Sequence, residues 1–266
     1  MLVLDVDDTL LTDDHQISDL NLHRLIQAQQ AGVYVVLASG RPTQGMMDFA
    51  KQLQLHEYGS FIISFNGAVI TDMRNNKTLF EQSLTKEQIH ELHDFSLANN
   101  LHIITYKDNF IVTETESEYI DVEKELTGMP INKVSCFKTE INDSAVKCIL
   151  LEDPQCIKQA EKQLKAAKPE LSVSISKPFF LEVTPNGIDK AASIDRLAKQ
   201  LNITSDEIIA VGNAGNDLSM IEYAGLGVWV DNVSDELRDK ADIVVASNNN
   251  HGVAEVVERF ILPHLN

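Results

Sequence analysis

The 266-residue chain carries 40 acidic against 22 basic side chains, a formal net charge of −18, and 44% of its residues are hydrophobic. That size and composition suit a globular protein able to bury one large core or two smaller ones, while the negative surplus repels nucleic acid and anionic lipid at long range. A small phosphorylated metabolite stays within reach, because a few local cations, backbone N–H groups or a metal ion outweigh the global field over a short distance.

The chain opens MLVLDVDD, where acids interrupt the apolar stretch that a signal peptide needs, and no apolar run approaches the roughly 20 residues that span a bilayer. Strands are predicted at 2–4, 33–38 and 61–65, and after Asn66 a hairpin in which GAVITDM and KTLFEQSL flank Arg74-Asn75-Asn76. Residues 85–99 predict a helix with Thr85 as N-cap and Gln88 three positions on, a capping-box pattern. A second hairpin, HIITYK and NFIVTE, turns at Asp108-Asn109, and the helix in SEYIDVEKELTG ends at Gly128. Strand VKCILLE, a helix over 154–167 and strands SVSIS and FFLEVT follow. Residues 83–184 thus read as an inserted α+β unit of roughly 100 residues, a common domain size, with 1–82 and 185–266 forming one core. Beyond it, Ile194, Leu197, Ala198 and Leu201 at spacings of three and four predict a helix, and strands are predicted at 208–211, 227–230 and 243–246. Strands alternating with helices predict an α/β fold, a mostly parallel sheet covered on both faces. Cys136, Cys148 and Cys156 are odd in number and form no C-x-x-C pair, so neither a disulfide framework nor a zinc site is expected, and a cytoplasmic location is.

In such sheets the polar chemistry gathers at the carboxyl ends of the strands. The core strands end in Asp5-Val6-Asp7, Ser39-Gly40-Arg41, Asn66-Gly67 and Gly212-Asn213, all expected along one rim. Turn chemistry accounts for glycine and asparagine there, but poorly for three acids within LDVDDTLL. Where the first strand turns, Asp5 and Asp7 can converge, and close carboxylates repel unless a cation sits between them or one stays protonated. Magnesium takes hard oxygen ligands, often one or two carboxylates with phosphate oxygens; one Asp can attack phosphorus and a second act as acid and base. The competing reading is a helix N-cap cluster, Asp7-Asp8-Thr9. Ser39 and Gly40, ahead of a helix with Pro42 in its first turn, are suited to hold phosphate oxygens. Lys190 opens a helix, where a cation conflicts with the helix dipole unless an anion lies near; its alternative is a solvated surface lysine. VGNAGNDLSM, residues 211–220, reads as a phosphate-cradling loop, a metal-binding loop or a tight turn.

Together these segments resemble the haloacid dehalogenase-like phosphatases, and within them the Cof-type subgroup with an inserted α/β cap. D-x-D-x-T is Asp5, Asp7 and Thr9; ASGRP holds Ser39; GIDK holds Lys190; GNAGND is the fourth motif; and FNGA around Asn66 also fits, so the likeness runs end to end. The resemblance implies a Rossmann-like core, a cap over 83–184, and a Mg²⁺-dependent phosphatase of small phosphomonoesters such as sugar phosphates. It implies Asp5 as nucleophile through an aspartyl phosphate, Asp7 as acid and base, and Val6, Ser39, Gly40, Lys190 and Asn216 around the phosphoryl group. Arg41 and Asn66 would lie next to substrate, and Asp5, Asp7 through its main-chain carbonyl, Asn213 and Asp217 would hold the metal. Gly212 and Gly215 would permit close backbone approach. Asn213 departs from the family, where Asp is usual: it keeps a carbonyl oxygen and lacks the charge, so the alternative is a phosphometabolite-binding protein with weakened or lost turnover. Asp8 also departs, standing where glycine is common, and either adds charge near the metal or points to solvent. Trp229 is expected at the sheet edge, His102 as structural, and Met46, Met47 and Phe49 in the core.

Overall fold

The computed structural model describes residues 1–264. In chain order the strands are β1 Leu2–Leu4, β2 Val35–Ala38, β3 Phe61–Ser64, β4 Val69–Asp72 and β5 Lys77–Glu81, then β6 His102–Lys107, β7 Phe110–Thr113, β8 Ile131–Lys133, β9 Cys148–Leu151, β10 Leu171–Lys177 and β11 Phe180–Pro185, and last β12 Ile209–Gly212, β13 Leu226–Val230 and β14 Ile243–Val245. They divide between two compact units, Met1–Phe80 with Asp189–Asn266, and Glu81–Ile188.

The sheet of the first unit runs β14-β13-β12-β1-β2-β3-β4-β5. The six strands from β14 to β3 are mutually parallel, and β4 turns back antiparallel to β3. A parallel sheet is buried on both faces, which is why LVL, VVLA and FIIS carry no polar alternation. Leu2, Leu4, Leu37 and Val228 pack with helices Asp19–Gln30 and Gly252–Phe260. Val3, Val36, Ile63 and Trp229, one position out of phase, pack with helices Lys190–Leu201 and Leu218–Tyr223. Trp229 is therefore not at the sheet edge: β14 lies outside it, the ring is fully buried, and its indole N–H donates to the Leu237 carbonyl at 2.8 Å. Met46 is in the core, and Pro42 precedes a 3₁₀ turn, Thr43–Met46, rather than opening an α-helix.

In Glu81–Ile188 the sheet order is β10-β11-β9-β6-β7-β8, antiparallel except for β7 with β8. Helices Lys86–Ala98 and Pro154–Ala167 bury Ile89, Leu92, Ile157 and Leu164 with one face, and Glu118–Thr127 buries Ile120 with the other. The capping box forms: Gln88 N–H donates to Thr85 Oγ1 at 3.3 Å, and Thr85 N–H to Gln88 Oε1 at 2.9 Å. Asp108 and Asn109 both take positive φ, the backbone that a two-residue hairpin turn requires. β8 and the short helix Phe137–Glu140 were not predicted, because three or four residues are too few to show a period. His102 Nδ1 meets Thr115 Oγ1 at 2.8 Å, and the Cys148 thiol is pushed up to about 12 by burial.

One turn of the first unit joins the rim to the helix that begins at Lys190. Phe65, Asn66 and Gly67 all have positive φ, 51°, 55° and 115°. A Cβ on Gly67 would stand 2.3 Å from the Asp189 carbonyl oxygen, and the Ser193 hydroxyl donates to the Gly67 carbonyl at 2.5 Å. Gly67→Ala is expected to lower stability by about 1–3 kcal/mol through backbone strain alone, seen as a lower thermal midpoint; an unchanged midpoint contradicts it.

Candidate active site

Asp5 follows β1, and its N–H donates to the Val211 carbonyl at 2.9 Å, carrying the ladder one residue past the strand. Ser39 does the same after β2, donating to Ile63 at 2.9 Å, so both side chains reach the carboxyl rim. The chain then makes a wide turn, Val6–Leu10, with Asp7 extended (φ −73°, ψ 131°) and Asp8 left-handed (φ 56°). This break in regular geometry sends the two aspartates to different partners. Asp5, with a side chain 7% exposed, accepts from Lys190; Asp7, 43% exposed, accepts from Arg41.

Lys190 is the cation of the buried site. Its fully buried Nζ donates to Asp5 Oδ1 and to Asp217 Oδ1, each at 2.6 Å. The conflict with the helix dipole is resolved by these two anions. Helix Lys190–Leu201 starts there because the Asp189 side chain accepts the Ala192 N–H as N-cap. Burial by itself would lower the Lys190 pKa, but the charges of Asp5 and Asp217 and their hydrogen bonds outweigh it, and the ammonium is held above its usual range. Burial pushes the Asp5 carboxyl up to about 7, against the pull of Lys190 and with the added repulsion of Asp217.

The loop after β12 forms the other side. Asp217 is fully buried; its Oδ2 accepts the N–H groups of Asn213 at 3.0 Å and Ala214 at 3.1 Å while Oδ1 takes Lys190. A Cβ on Gly212 would stand 2.6 Å from the Asp217 Cβ, so glycine lets the carboxylate fold back over the strand end. Gly215 has no such duty, contrary to expectation: a Cβ there meets nothing within 4 Å. Asn213 Oδ1 accepts the Thr9 hydroxyl at 3.2 Å, and Asn216 Nδ2 reaches Asn66 Oδ1 at 3.4 Å. A Cβ on Gly40 would lie 3.1 Å from the Asn66 amide, which packs this turn against the Ser39 segment. Ser39 Oγ accepts the Arg41 N–H at 3.1 Å, leaving its own proton to donate.

Arg41 is more than a neighbour of the site. Its Nε and one terminal nitrogen bind the two Asp7 oxygens at 2.9 and 2.7 Å, a bidentate fork. The sequence marks Arg41 only by its place after Ser39 and Gly40, since a pairing across 34 positions has no local signal. Asp8 is exposed, with its main-chain carbonyl taken by Asn232. Among the described residues no group of three His, Cys, Asp or Glu side chains is arranged to hold a metal. Asp217 spends its carboxylate on Lys190 and the loop N–H groups. Asp5 Oδ2 has no hydrogen-bond partner among the described residues, and with the Asn213 side-chain oxygen it offers the hard-oxygen chemistry that Mg²⁺ takes from one or two carboxylates. The donor set fits Mg²⁺ with one charge fewer than an Asp at 213 would supply.

The chain is similar to known proteins along nearly its whole length. A family model described as haloacid dehalogenase-like hydrolase matches residues 2–257. The chain is 30% identical to YcsE of Bacillus subtilis, named as a 5-amino-6-(5-phospho-D-ribitylamino)uracil phosphatase, covering 98% of this chain and 96% of that one. It is 28% identical to the B. subtilis phosphatase YwpJ, over 98% and 99% of the two chains. A crystal structure of a haloacid dehalogenase-like hydrolase from Bacteroides thetaiotaomicron superimposes with a TM-score of 0.93 at 37% identity, over 97% of this chain and 98% of that one.

A buried carboxyl whose pKa is raised favours the fold in its neutral form, and that contribution is lost as pH rises through about 7. In chelator-treated protein, the thermal midpoint of Asp5→Asn minus that of wild type is expected to be larger at pH 8 than at pH 5. A difference that shrinks over this interval overturns the assignment.

Proposed function

Because the chain belongs to the haloacid dehalogenase-like hydrolases, we propose that it is a cytoplasmic Mg²⁺-dependent phosphatase of small phosphomonoesters, sugar phosphates or related metabolites. The observation that carries this reading is the buried Lys190 ammonium, which holds Asp5 by one oxygen and leaves the other without a partner among the described residues. A relative named for a phosphorylated ribitylaminouracil supports a small phosphorylated substrate.

Asp5 attacks phosphorus, forming an aspartyl phosphate as the bond to the leaving oxygen breaks. Asp7 gives a proton to that oxygen, then takes one from the water that attacks the aspartyl phosphate and returns Asp5 to a carboxylate. Because Arg41 grips both oxygens of Asp7, the acid has to slip from that fork to reach the leaving group. Ser39, Lys190, Asn216 and the N–H groups of Val6 and Gly40 would hold the phosphoryl oxygens, with Arg41 and Asn66 beside the substrate. Mg²⁺, when bound, neutralises charge on those oxygens; Asp5, the Asp7 main-chain carbonyl and Asn213 would hold it, and Asp217 contributes through Lys190. The inserted unit Glu81–Ile188, as a cap, would choose the leaving group.

With p-nitrophenyl phosphate and Mg²⁺, Asp5→Asn is expected to lower kcat at least about 10³-fold; residual turnover near the wild-type rate sinks the reading. Asn213→Asp is expected to tighten Mg²⁺ binding about 10- to 100-fold, measured by titration calorimetry. An unchanged affinity removes Asn213 from the metal site.

A further inference from the structure

The loop that follows Asp5 is held from outside by asparagine side chains that no motif picks out. Asn232, in the turn after β13, donates Nδ2–H to the main-chain carbonyl of Asp8 at 2.7 Å. Asn248, 2% exposed, donates to the Leu11 carbonyl at 3.0 Å and to Asp13 Oδ1 at 3.1 Å. The two are linked, since Asn232 Oδ1 accepts the Asn248 N–H at 3.1 Å. A third, the buried Asn21, makes a longer contact of 3.5 Å to the Leu10 carbonyl while its Oδ1 accepts the Ala254 N–H at 2.9 Å. Three carbonyls of one loop therefore hang on amides fixed elsewhere in the same unit.

The Asn232 contact falls where the loop is least able to hold itself. Asp8 is left-handed, at φ 56° and ψ 13°, a conformation that a residue with a side chain keeps only when its surroundings dictate it. Its carbonyl belongs to the Asp8–Thr9 peptide plane, so a bond to that oxygen fixes the ψ of Asp8. Asp7 lies on one side of the fixed unit. On the other side is Thr9, whose hydroxyl reaches Asn213 at 3.2 Å. Release of the carbonyl lets Asp8 relax toward right-handed backbone and turns Asp7 and Thr9 relative to Asp5. The chemistry of the side chain serves both contacts: an amide donates to Asp8 and accepts from Asn248 at once.

We propose that Asn232, backed by Asn248, is a positioning residue for the reaction, clamping the Asp8 carbonyl so that Asp7 and Thr9 stay in register with Asp5 and Asn213. The inference rests on the phosphatase reading of the same site. Asn232→Asp is nearly isosteric, keeps the acceptor for Asn248 and sets an oxygen against the Asp8 carbonyl; Asn232→Ala removes both bonds; Asn250→Ala, at an exposed nearby position, is the control.

The full chain is assayed with p-nitrophenyl phosphate and Mg²⁺, and separately by hydrogen exchange with mass spectrometry in the absence of metal and substrate. Both Asn232 variants are expected to lower kcat about 10- to 100-fold with KM changed far less. Exchange should rise in residues 6–12 and, in Asn232→Ala, at the Asn248 N–H that it frees, with the thermal midpoint lowered by no more than the loss of two hydrogen bonds costs. A kcat within twofold of wild type overturns the proposal, as does a loss of kcat accompanied by faster exchange throughout the first unit. If the wild-type protein hydrolyses no phosphomonoester, the phosphatase reading falls, and the exchange result alone then decides whether Asn232 clamps the loop: unchanged exchange at 6–12 overturns the clamp.

Discussion

The structure of the first unit depends on one buried ammonium. Lys190 lies out of water between Asp5 and Asp217, 2.6 Å from each, and the desolvation of such groups is repaid only by close geometry and further hydrogen bonds. Asp217 obtains those bonds from the Asn213 and Ala214 N–H groups. Removing the ammonium would leave two carboxylates in a dry site, at a cost of about 3–5 kcal/mol for an uncompensated charge. Because Lys190 is the first residue of its helix, the same contact fixes that helix to β1 and to the loop after β12. Gly67 and Gly212 are demanded by this arrangement: one lets the β3 turn touch the helix start, the other lets Asp217 fold back.

The two aspartates of D-x-D are told apart by environment rather than by residue type. Asp5 is enclosed, raised by burial and tied to an ammonium at one oxygen. Asp7 is half in solvent and held at both oxygens by a guanidinium. Different surroundings for two nearby carboxyls are the usual means of giving them different roles in one reaction. The wide turn between them achieves this, since regular strand or helix geometry would have kept both on fixed faces. That turn has few bonds of its own, and the amides of Asn232 and Asn248 supply its support from distant segments.

Much of this was legible in the sequence, because it rests on local rules. Unbroken apolar runs of four residues declare a sheet buried on both faces, spacings of three and four declare Lys190–Leu201, and Thr85 with Gln88 declares a helix start; each is a property of neighbours in the chain. The segments that end the strands met at one rim for the same reason, since a parallel sheet brings successive strand ends together. The carboxyl dyad, Ser39, Lys190 and the GNAGND loop were identifiable as chemistry without coordinates. Tertiary structure alone decided the partners: Arg41 on Asp7, Thr9 on Asn213, the burial of Trp229 inside the sheet, the idleness of Gly215 and the asparagine amides on the Asp8 loop. These pairings join residues up to 237 positions apart, and a side chain chooses between them by distance and desolvation in the folded state. No spacing in the chain encodes either.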